Sequence, residues 1–146
     1  MAGRREPTWL TREDVEAIHD AQLAQFGGLP GLRDAGALES ALGRPMNRLL
    51  YGKAEDVLDC AASYGFGLAK NHAFADGNKR TAFVATATFL ELNGWLLVAT
   101  EPDAVITMLG VADGSITERR LAEWLRCNTK RAGKVRERAP SPKRHR

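Results

Sequence analysis

A stretch of nine residues, 72–80, concentrates side chains that bind phosphate, and it reads His-Ala-Phe-Ala-Asp-Gly-Asn-Lys-Arg. A helix is predicted to begin within it, and the first N–H groups of a helix are unpaired and partially positive, so an anion can bind there. Gly77 lets a phosphate approach the backbone closely. Lys79 adds a point charge, and Arg80 adds a planar fork for the phosphate oxygens. These residue types in this order predict a phosphate-binding loop.

The same stretch contains a candidate general base and a candidate metal ligand. An unperturbed histidine has a pKa of about 6.5, so His72 suits proton abstraction near neutral pH. Asp76 supplies hard oxygen ligands suited to Mg²⁺ that arrives with a nucleotide. Lys70 lies close enough in sequence to contact phosphate, although a lysine at a helix end is also favoured by the helix dipole alone. Each residue has an ordinary explanation as a cap, a loop histidine or a solvated charge, but their concentration favours a catalytic site.

Hydrophobic spacing and capping residues predict an all-α fold, a compact bundle of about six helices. The helices are expected at about 12–25, 35–43, 55–69 and 78–92, then from a cap at Thr100 to about 113, and from a cap at Ser115 or Thr117 to about 128. Because the residue before a proline avoids helical angles, the second helix is expected to end at Arg44, and 44–53 to form a loop. Residues 95–99 could be extended.

The fourth predicted helix is apolar on all sides, which marks the centre of a bundle, so the active loop is expected at the N-terminus of a buried central helix. Gly65 and Gly67 weaken the preceding helix by about 1 kcal/mol each relative to alanine, and close helix packing is the expected reason. Phe74 is expected to be a core residue that pins the active loop. No catalytic role is assigned to His19 in the first helix.

Length and charge predict one domain, 1–129, followed by a disordered basic tail, 130–146. The tail contains eight Lys/Arg and one Glu and therefore carries +7, which leaves −4 for residues 1–129 from the net charge of +3. No apolar run is long enough for a membrane span, and no signal peptide is recognisable. Cys60 and Cys127 lie far apart without metal-like spacing, so two buried thiols in a reduced, cytoplasmic protein are expected.

The motif and its surroundings resemble the Fic/Doc superfamily. Residues 72–80 match the pattern His-x-Phe-x-Asp/Glu-Gly-Asn-x-Arg, and their Asn-Lys-Arg ending is similar to the Doc (death-on-curing) branch of bacterial toxins. Other similar stretches are Gly-Gly-Leu-Pro-Gly at 27–31, Leu-Glu-Ser-Ala-Leu at 38–42, Arg-Pro at 44–45, and 89–94. The resemblance covers about residues 9–128 and leaves out only the basic tail.

The resemblance implies a role for each motif residue. His72 matches the histidine that deprotonates a hydroxyl of a target protein, and Asp76 matches the ligand of Mg²⁺. Asn78 and Arg80 match the residues that hold the phosphates of ATP. The loop expected at 44–53 corresponds to the superfamily's target-binding flap, and its candidate target contacts are Asn47, Arg48 and Tyr51.

Two positions depart from the Fic proteins that transfer AMP. Fic proteins have glycine at the position of Lys79, and many carry a second arginine at the position of Phe83. Lys79 would crowd and charge the site of the α- and β-phosphates, and Phe83 removes a partner of the γ-phosphate, so ordinary AMP transfer is disfavoured. Doc proteins are similar in this respect; they bind ATP in the opposite sense and phosphorylate a threonine of translation elongation factor Tu. The resemblance therefore implies a kinase that inhibits translation.

The resemblance also implies control by a separate protein. Many Fic proteins carry an inhibitory helix with Ser/Thr-x-x-x-Glu, and no Ser or Thr of this sequence has Glu four positions later. Inhibition within the chain is therefore not expected. Doc toxins are held inactive by an antitoxin, commonly of the Phd type, and such a partner is expected here.

Two other functions remain open. The first is adenylyl or other nucleotidyl transfer to a protein hydroxyl, because all motif residues except Lys79 suit it. The second is a nucleic-acid-binding or interaction module that uses residues 130–146, whose charge would bind polyanions weakly and with strong salt dependence. The tail has no aromatic residue for base stacking and the rest of the chain carries −4, so no specific nucleic acid is expected as a partner. No membrane partner is expected, because no apolar run is long enough for a membrane span.

Overall fold

The computed structural model describes residues 6–132. This part of the chain forms six helices, α1 (Arg12–Phe26), α2 (Ala35–Leu50), α3 (Val57–Asn71), α4 (Asn78–Leu92), α5 (Glu101–Asp113) and α6 (Glu118–Cys127), and two strands, β1 (Trp95–Leu97) and β2 (Thr129–Arg131). The predicted all-α fold and the number of helices are confirmed. Over the same residues, no helix combines the length and the apolar character needed to cross a membrane.

Local capping sets where the helices begin. Five of the six described helices start with a side chain that accepts a hydrogen bond from the backbone N–H three residues later, and these caps are Thr11, Asp34, Asp56, Thr100 and Thr117. The exception is α4, whose N-cap residue is Gly77 and which has no side-chain cap. The N–H groups at the start of α4 are thus left for another partner.

Helices α3 and α4 pack closely and form the centre of the bundle. A Cβ at Gly65 of α3 would lie 2.8 Å from Oγ1 of Thr86 in α4, and one at Gly67 would lie 3.3 Å from Cβ of Ala41 in α2. The expectation that close packing explains both glycines is confirmed. Since Phe89 and Leu90 of α4 are fully buried, the motif loop is attached to a rigid central element.

Helix α2 is longer than predicted, because it continues through Pro45 to Leu50. The predicted loop at 44–53 is therefore wrong for residues 44–50. A proline inside a helix costs about 3 kcal/mol because it removes one hydrogen bond and crowds the preceding turn. Here Pro45 is buried, and the surrounding turns are attached to α6, because Glu118 pairs with both Arg44 and Arg48. These tertiary contacts outweigh the local preference.

The chain remains ordered past the predicted end of the domain. Lys130 and Arg131, expected in the disordered tail, lie in β2, which pairs antiparallel with β1. The guanidinium of Arg131 also lies 4.9 Å from the centre of the Trp95 ring. The extended segment expected after α4 is confirmed as β1, and the rest of the predicted tail, 133–146, lies outside the described residues.

The two cysteines differ in burial. Cys60 is fully buried in α3, whereas Cys127 is exposed, which corrects the prediction of two buried thiols. Cys127 follows the buried Leu125 by two positions in α6, and residues two apart in a helix do not share a face.

Candidate active site

The predicted active loop joins α3 to α4, and His72 is its first residue. His72 ends α3 in the left-handed conformation, with φ 52° and ψ 48°, and no other non-glycine residue among those described has a positive φ. A non-glycine residue held in this conformation stores strain of about 1 kcal/mol or more, which is typical of functional sites. The ring is exposed and makes no hydrogen bond or ion pair with another described residue. The imidazole is thus available to accept a proton.

The side chain of Asn78 folds back onto the loop. Its Oδ1 accepts from the N–H of Phe74 at 3.0 Å, and its Nδ2 donates to the carbonyl of Phe74 at 2.9 Å. The amide therefore closes the loop, which makes Asn78 a structural residue as well as a candidate phosphate ligand. Phe74 is 3% exposed, so its expected place in the core is confirmed.

A second loop, between α1 and α2, runs antiparallel to the active loop. The carbonyl of Ala73 accepts from the N–H groups of Arg33 at 2.7 Å and Asp34 at 2.9 Å, and the N–H of Ala75 donates to the carbonyl of Gly31 at 3.0 Å. These backbone bonds include the pair that forms an antiparallel bridge between Leu32 and Phe74, and they hold the active loop from outside the motif. The active loop is therefore held in place by a second segment of the chain.

The carboxylate of Asp76 accepts two backbone hydrogen bonds. Its Oδ2 accepts from the N–H of Leu29 at 3.1 Å, and its Oδ1 from the N–H of Gly77 at 2.9 Å. The N–H of Leu29 is the main reason that the pKa of Asp76 is lowered; Gly77, Arg80 and Lys79 lower it further. Asp76 is exposed and ionised, so it presents a fixed negative charge beside the start of α4.

His19 of α1 contacts the active loop, a contact that was not predicted from the sequence. It is 3% exposed, its Nε2 lies 2.7 Å from the backbone carbonyl oxygen of Asp76, and its ring stacks on Phe74 with centroids 3.8 Å apart and planes 11° apart. The available signal was its spacing, because His19 follows the buried Val15 by four positions and so lies on the same face of α1.

Two cations extend from the first turn of α4. Lys79 and Arg80 are exposed and make no ion pair with another described residue. The guanidinium of Arg80 lies 4.4 Å from the centre of the Phe26 ring, which orients it by a cation–π contact. Together with the uncapped N-terminus of α4, these charges favour the binding of an anion.

A cavity of about 470 Å³ opens beside these cations, between α1, α4 and α5. Its polar side consists of the motif residues 76–80, with Gln22, Gln25 and Glu101. Its apolar side consists of Phe26, Phe83, Val84, Val105, Met108 and Leu109. A cavity lined by two cations and by several apolar side chains suits a ligand that joins phosphates to an aromatic ring system.

Some predicted site residues lie elsewhere. Lys70 does not line the cavity, and its ammonium lies 5.7 Å from the centre of the Phe66 ring. Asn47 and Arg48 belong to α2, and the Nε of Arg48 is 3.1 Å from Oε2 of Glu118, so this arginine is already paired. Tyr51, directly after α2, is 72% exposed and free for contact with another molecule.

Comparison with known proteins agrees with this geometry. A model of the Fic/DOC family matches residues 9–90. The chain is 36% identical over 117 residues to "Protein kinase doc" of Escherichia phage P1, covering 80% of this chain and 92% of that protein. It is 45% identical over 92 residues to "Toxin Doc" of Mycolicibacterium smegmatis, covering 62% of this chain and 68% of that protein. The chain, with its motif loop at the start of a buried helix, belongs to the Fic/DOC family.

Proposed function

We propose that this chain is a Doc-like toxin, a protein kinase that transfers the γ-phosphate of ATP to a threonine hydroxyl of translation elongation factor Tu and thereby inhibits translation. One arrangement carries the proposal: the exposed and unpaired His72 begins the loop that leads into an uncapped, cationic helix N-terminus. The names of the two relatives, a protein kinase and a toxin, support the activity. Elongation factor Tu is proposed because the Asn-Lys-Arg ending of the motif resembles the Doc branch.

Phosphoryl transfer depends on position and charge, which a site of this size can supply. In the proposed reaction His72 takes the proton of the target hydroxyl while that oxygen bonds to the γ-phosphorus. The bond from the γ-phosphorus to the bridging oxygen breaks, and ADP leaves with the electron pair. Lys79, Arg80 and the first N–H groups of α4 hold the phosphates and balance the charge that develops on the leaving oxygen.

Asp76 is the residue proposed to hold Mg²⁺. The described residues contain no group of three or more His, Cys, Asp or Glu side chains that could bind a metal ion by themselves. A single ionised carboxylate beside a phosphate site fits Mg²⁺, which is commonly bound through one or two carboxylates together with substrate phosphates. When bound, the ion would neutralise phosphate charge. Both oxygens of Asp76 keep a lone pair beyond their backbone hydrogen bonds, so the carboxylate is still able to bind it.

The cavity supports transfer of the terminal phosphate. A nucleoside packed against Phe83, Val105 and Leu109 would direct its phosphates toward Lys79 and Arg80. His72 does not line this cavity. The phosphate that reaches His72 would therefore be a phosphate of ATP that is farther from the nucleoside. This orientation makes the γ-phosphate the group that is transferred.

Nucleotidyl transfer is the second candidate function. The motif residues that this reaction needs are present: His72 ends α3, Asp76 and Gly77 precede α4, and Asn78 and Arg80 lie in the first turn of α4. Lys79 argues against it, because this cation lines the same cavity and adds charge where adenylyl transferases have glycine. The position of the label in the experiment below separates the two reactions.

The proposed partners are the protein target and a Phd-like antitoxin, and the proposed location is the cytoplasm. Exposed apolar side chains border the cavity, and they are Phe26, Val105 and Leu109. An antitoxin segment that covers them would block the nucleotide site. Because Val105 also lines the nucleotide cavity, a Val105→Asp change is tested by direct binding of the purified antitoxin to the purified chain, and that binding should weaken.

The decisive experiment compares label transfer from ATP labelled at the γ-phosphate with transfer from ATP labelled at the α-phosphate. Purified elongation factor Tu is the first acceptor, and a whole-cell lysate is the second. Transfer of the γ-label to elongation factor Tu, lost in His72→Ala, is the expected result. Transfer of the α-label would replace the kinase by a nucleotidyl transferase, and γ-transfer only to another lysate protein would correct the target. No transfer of either label would reject both reactions.

A further inference from the structure

We infer that His19 is a positioning residue of the active site: it holds the peptide between Asp76 and Gly77 and thereby orients the Asp76 carboxylate and the start of α4. The inference rests on the proposed function, since it assigns the purpose of this contact to nucleotide and Mg²⁺ binding. His19 lies in α1, outside the motif loop, and is 3% exposed.

The direction of the hydrogen bond is fixed by its partner. A backbone carbonyl oxygen only accepts, so Nε2 of His19 carries a proton and donates to the Asp76 oxygen across 2.7 Å. The stacking of the His19 ring on Phe74 prevents the ring from turning away from this oxygen. The contact is therefore held at the edge of the ring by hydrogen bonding and at its face by packing.

The peptide that His19 holds is the one that orients the carboxylate. The carbonyl of Asp76 and the N–H of Gly77 belong to the same planar peptide unit. The carbonyl accepts from His19, and the N–H donates to Oδ1 of Asp76 at 2.9 Å. Rotation of this plane would break both bonds together, so loss of the His19 contact also loosens the bond from Gly77 and leaves the N–H of Leu29 to hold the carboxylate.

The same peptide sets where α4 begins. Gly77 adopts the left-handed conformation, with φ 76° and ψ 18°, and a Cβ there would lie 3.7 Å from both Cδ2 and Nε2 of His19. The imidazole thus packs directly beneath the N-cap of the helix whose first N–H groups and cations face the cavity. A change at His19 should therefore alter the orientation of Asp76 and of the first N–H groups of α4, although His19 itself does not line the cavity.

Two substitutions separate positioning from simple packing. His19→Phe retains an aromatic ring against Phe74 but has no donor for the Asp76 carbonyl. His19→Gln loses the stack but carries an amide donor at a similar distance from the backbone. Val15→Ala is the matched control, because Val15 is fully buried one turn earlier in the same helix and its loss affects stability only.

The first measurement is equilibrium binding of a non-hydrolysable ATP analogue with Mg²⁺, made by calorimetry on the full chain. Mutation of a residue that hydrogen-bonds to a metal ligand commonly weakens metal affinity by about 10- to 100-fold. His19→Phe should therefore weaken analogue binding about tenfold and raise by a similar factor the Mg²⁺ concentration that gives half-maximal transfer. His19→Gln should recover most of both, and Val15→Ala should lower only the melting temperature.

The possible results distinguish this inference from the proposed function. Wild-type affinity and Mg²⁺ dependence in a folded His19→Phe protein would overturn the role of His19 and leave the kinase proposal intact. If His19→Phe does not fold, His19→Gln decides. This variant keeps a hydrogen-bond donor, so analogue binding reduced about tenfold in it would overturn the inference. Transfer of the α-label by the wild type would reject the kinase but leave the His19 result valid. A wild-type chain that binds no nucleotide would reject both.

Discussion

The backbone N–H of Leu29 donates to Oδ2 of Asp76 across 3.1 Å and joins two loops that are 47 residues apart in sequence. Leu29 follows α1, whereas Asp76 precedes α4. Because the N–H of Gly77 engages the other carboxylate oxygen, the orientation of Asp76 is set from both sides. A change in the loop after α1 should therefore alter the orientation of the Asp76 carboxylate, although Asp76 lies in the other loop.

Gly28→Ala should disturb the Asp76 carboxylate. A Cβ at Gly28 would lie 2.8 Å from Oδ2 of Asp76, and the glycine has φ +127°. Gly27→Ala is the control, because Gly27 also has a positive φ, +81°, but no heavy atom within 4 Å of the added Cβ. We expect transfer activity to fall about tenfold or more in Gly28→Ala and to persist in Gly27→Ala, with the Mg²⁺ dependence shifted only in the former. Equal activities would contradict the contact.

The stability supplied by the Asp76 carboxylate should depend on pH. The N–H groups of Leu29 and Gly77 lower the pKa of Asp76 below its ordinary value of 3.8. Its contribution is then complete above pH 3.8 and is lost as the pH falls through the lower pKa of the folded state. In urea unfolding, the difference between wild type and Asp76→Asn should be constant above about pH 5 and shrink in acid. A difference that grows in acid would contradict this account.

Lys79→Gly should change which phosphate is transferred. Removal of this cation opens the place that other members of the superfamily use for the α- and β-phosphates, so we expect transfer of the α-label to appear and transfer of the γ-label to fall. Lys70→Ala is the control, because Lys70 lies beside Phe66 and outside the cavity. Undiminished γ-transfer without α-transfer in Lys79→Gly would count against the proposed nucleotide orientation.

Alanine at two helical glycines should have opposite effects on stability. At Gly65 the new Cβ would lie 2.8 Å from Oγ1 of Thr86 and 3.2 Å from Cδ2 of Leu121, so α3 and its neighbours must separate. We expect a loss of about 1–3 kcal/mol in the free energy of unfolding. Gly43 of α2 has only one atom within 4 Å, at 3.9 Å, so Gly43→Ala should stabilise by up to about 1 kcal/mol. Urea unfolding of both variants measures the contrast.

Local signals predicted the central helix and the types of the site residues. Helix α4 was expected at 78–92 and spans Asn78–Leu92, because Gly77 before it and Asn93-Gly94 after it act within a few residues. The motif loop is also recognisable from the sequence, because its candidate functional residues are contiguous in the chain. Such features depend on neighbours in sequence, which a single chain displays.

Contacts between distant segments could not be predicted in this way. The extension of α2 through Pro45 depends on Glu118 in α6, and the position of Asp76 depends on His19 and Leu29. No local pattern connects these pairs. The sequence therefore indicated the candidate site residues but not the residues that hold them in place.

The pairing of β2 with β1 determines where the chain can be shortened without damage. Ala132 donates its N–H to the carbonyl of Gly94 at 2.9 Å, just beyond the C-terminus of α4. A chain cut after Thr129 loses this ladder, whereas one cut after Ala132 keeps it. Since α4 has 15 residues and a length of about 22 Å, a dye or affinity handle attached after Ala132 would begin at the far end of that helix from the phosphate site. Binding could thus be followed on an immobilised or labelled protein without a probe beside the nucleotide.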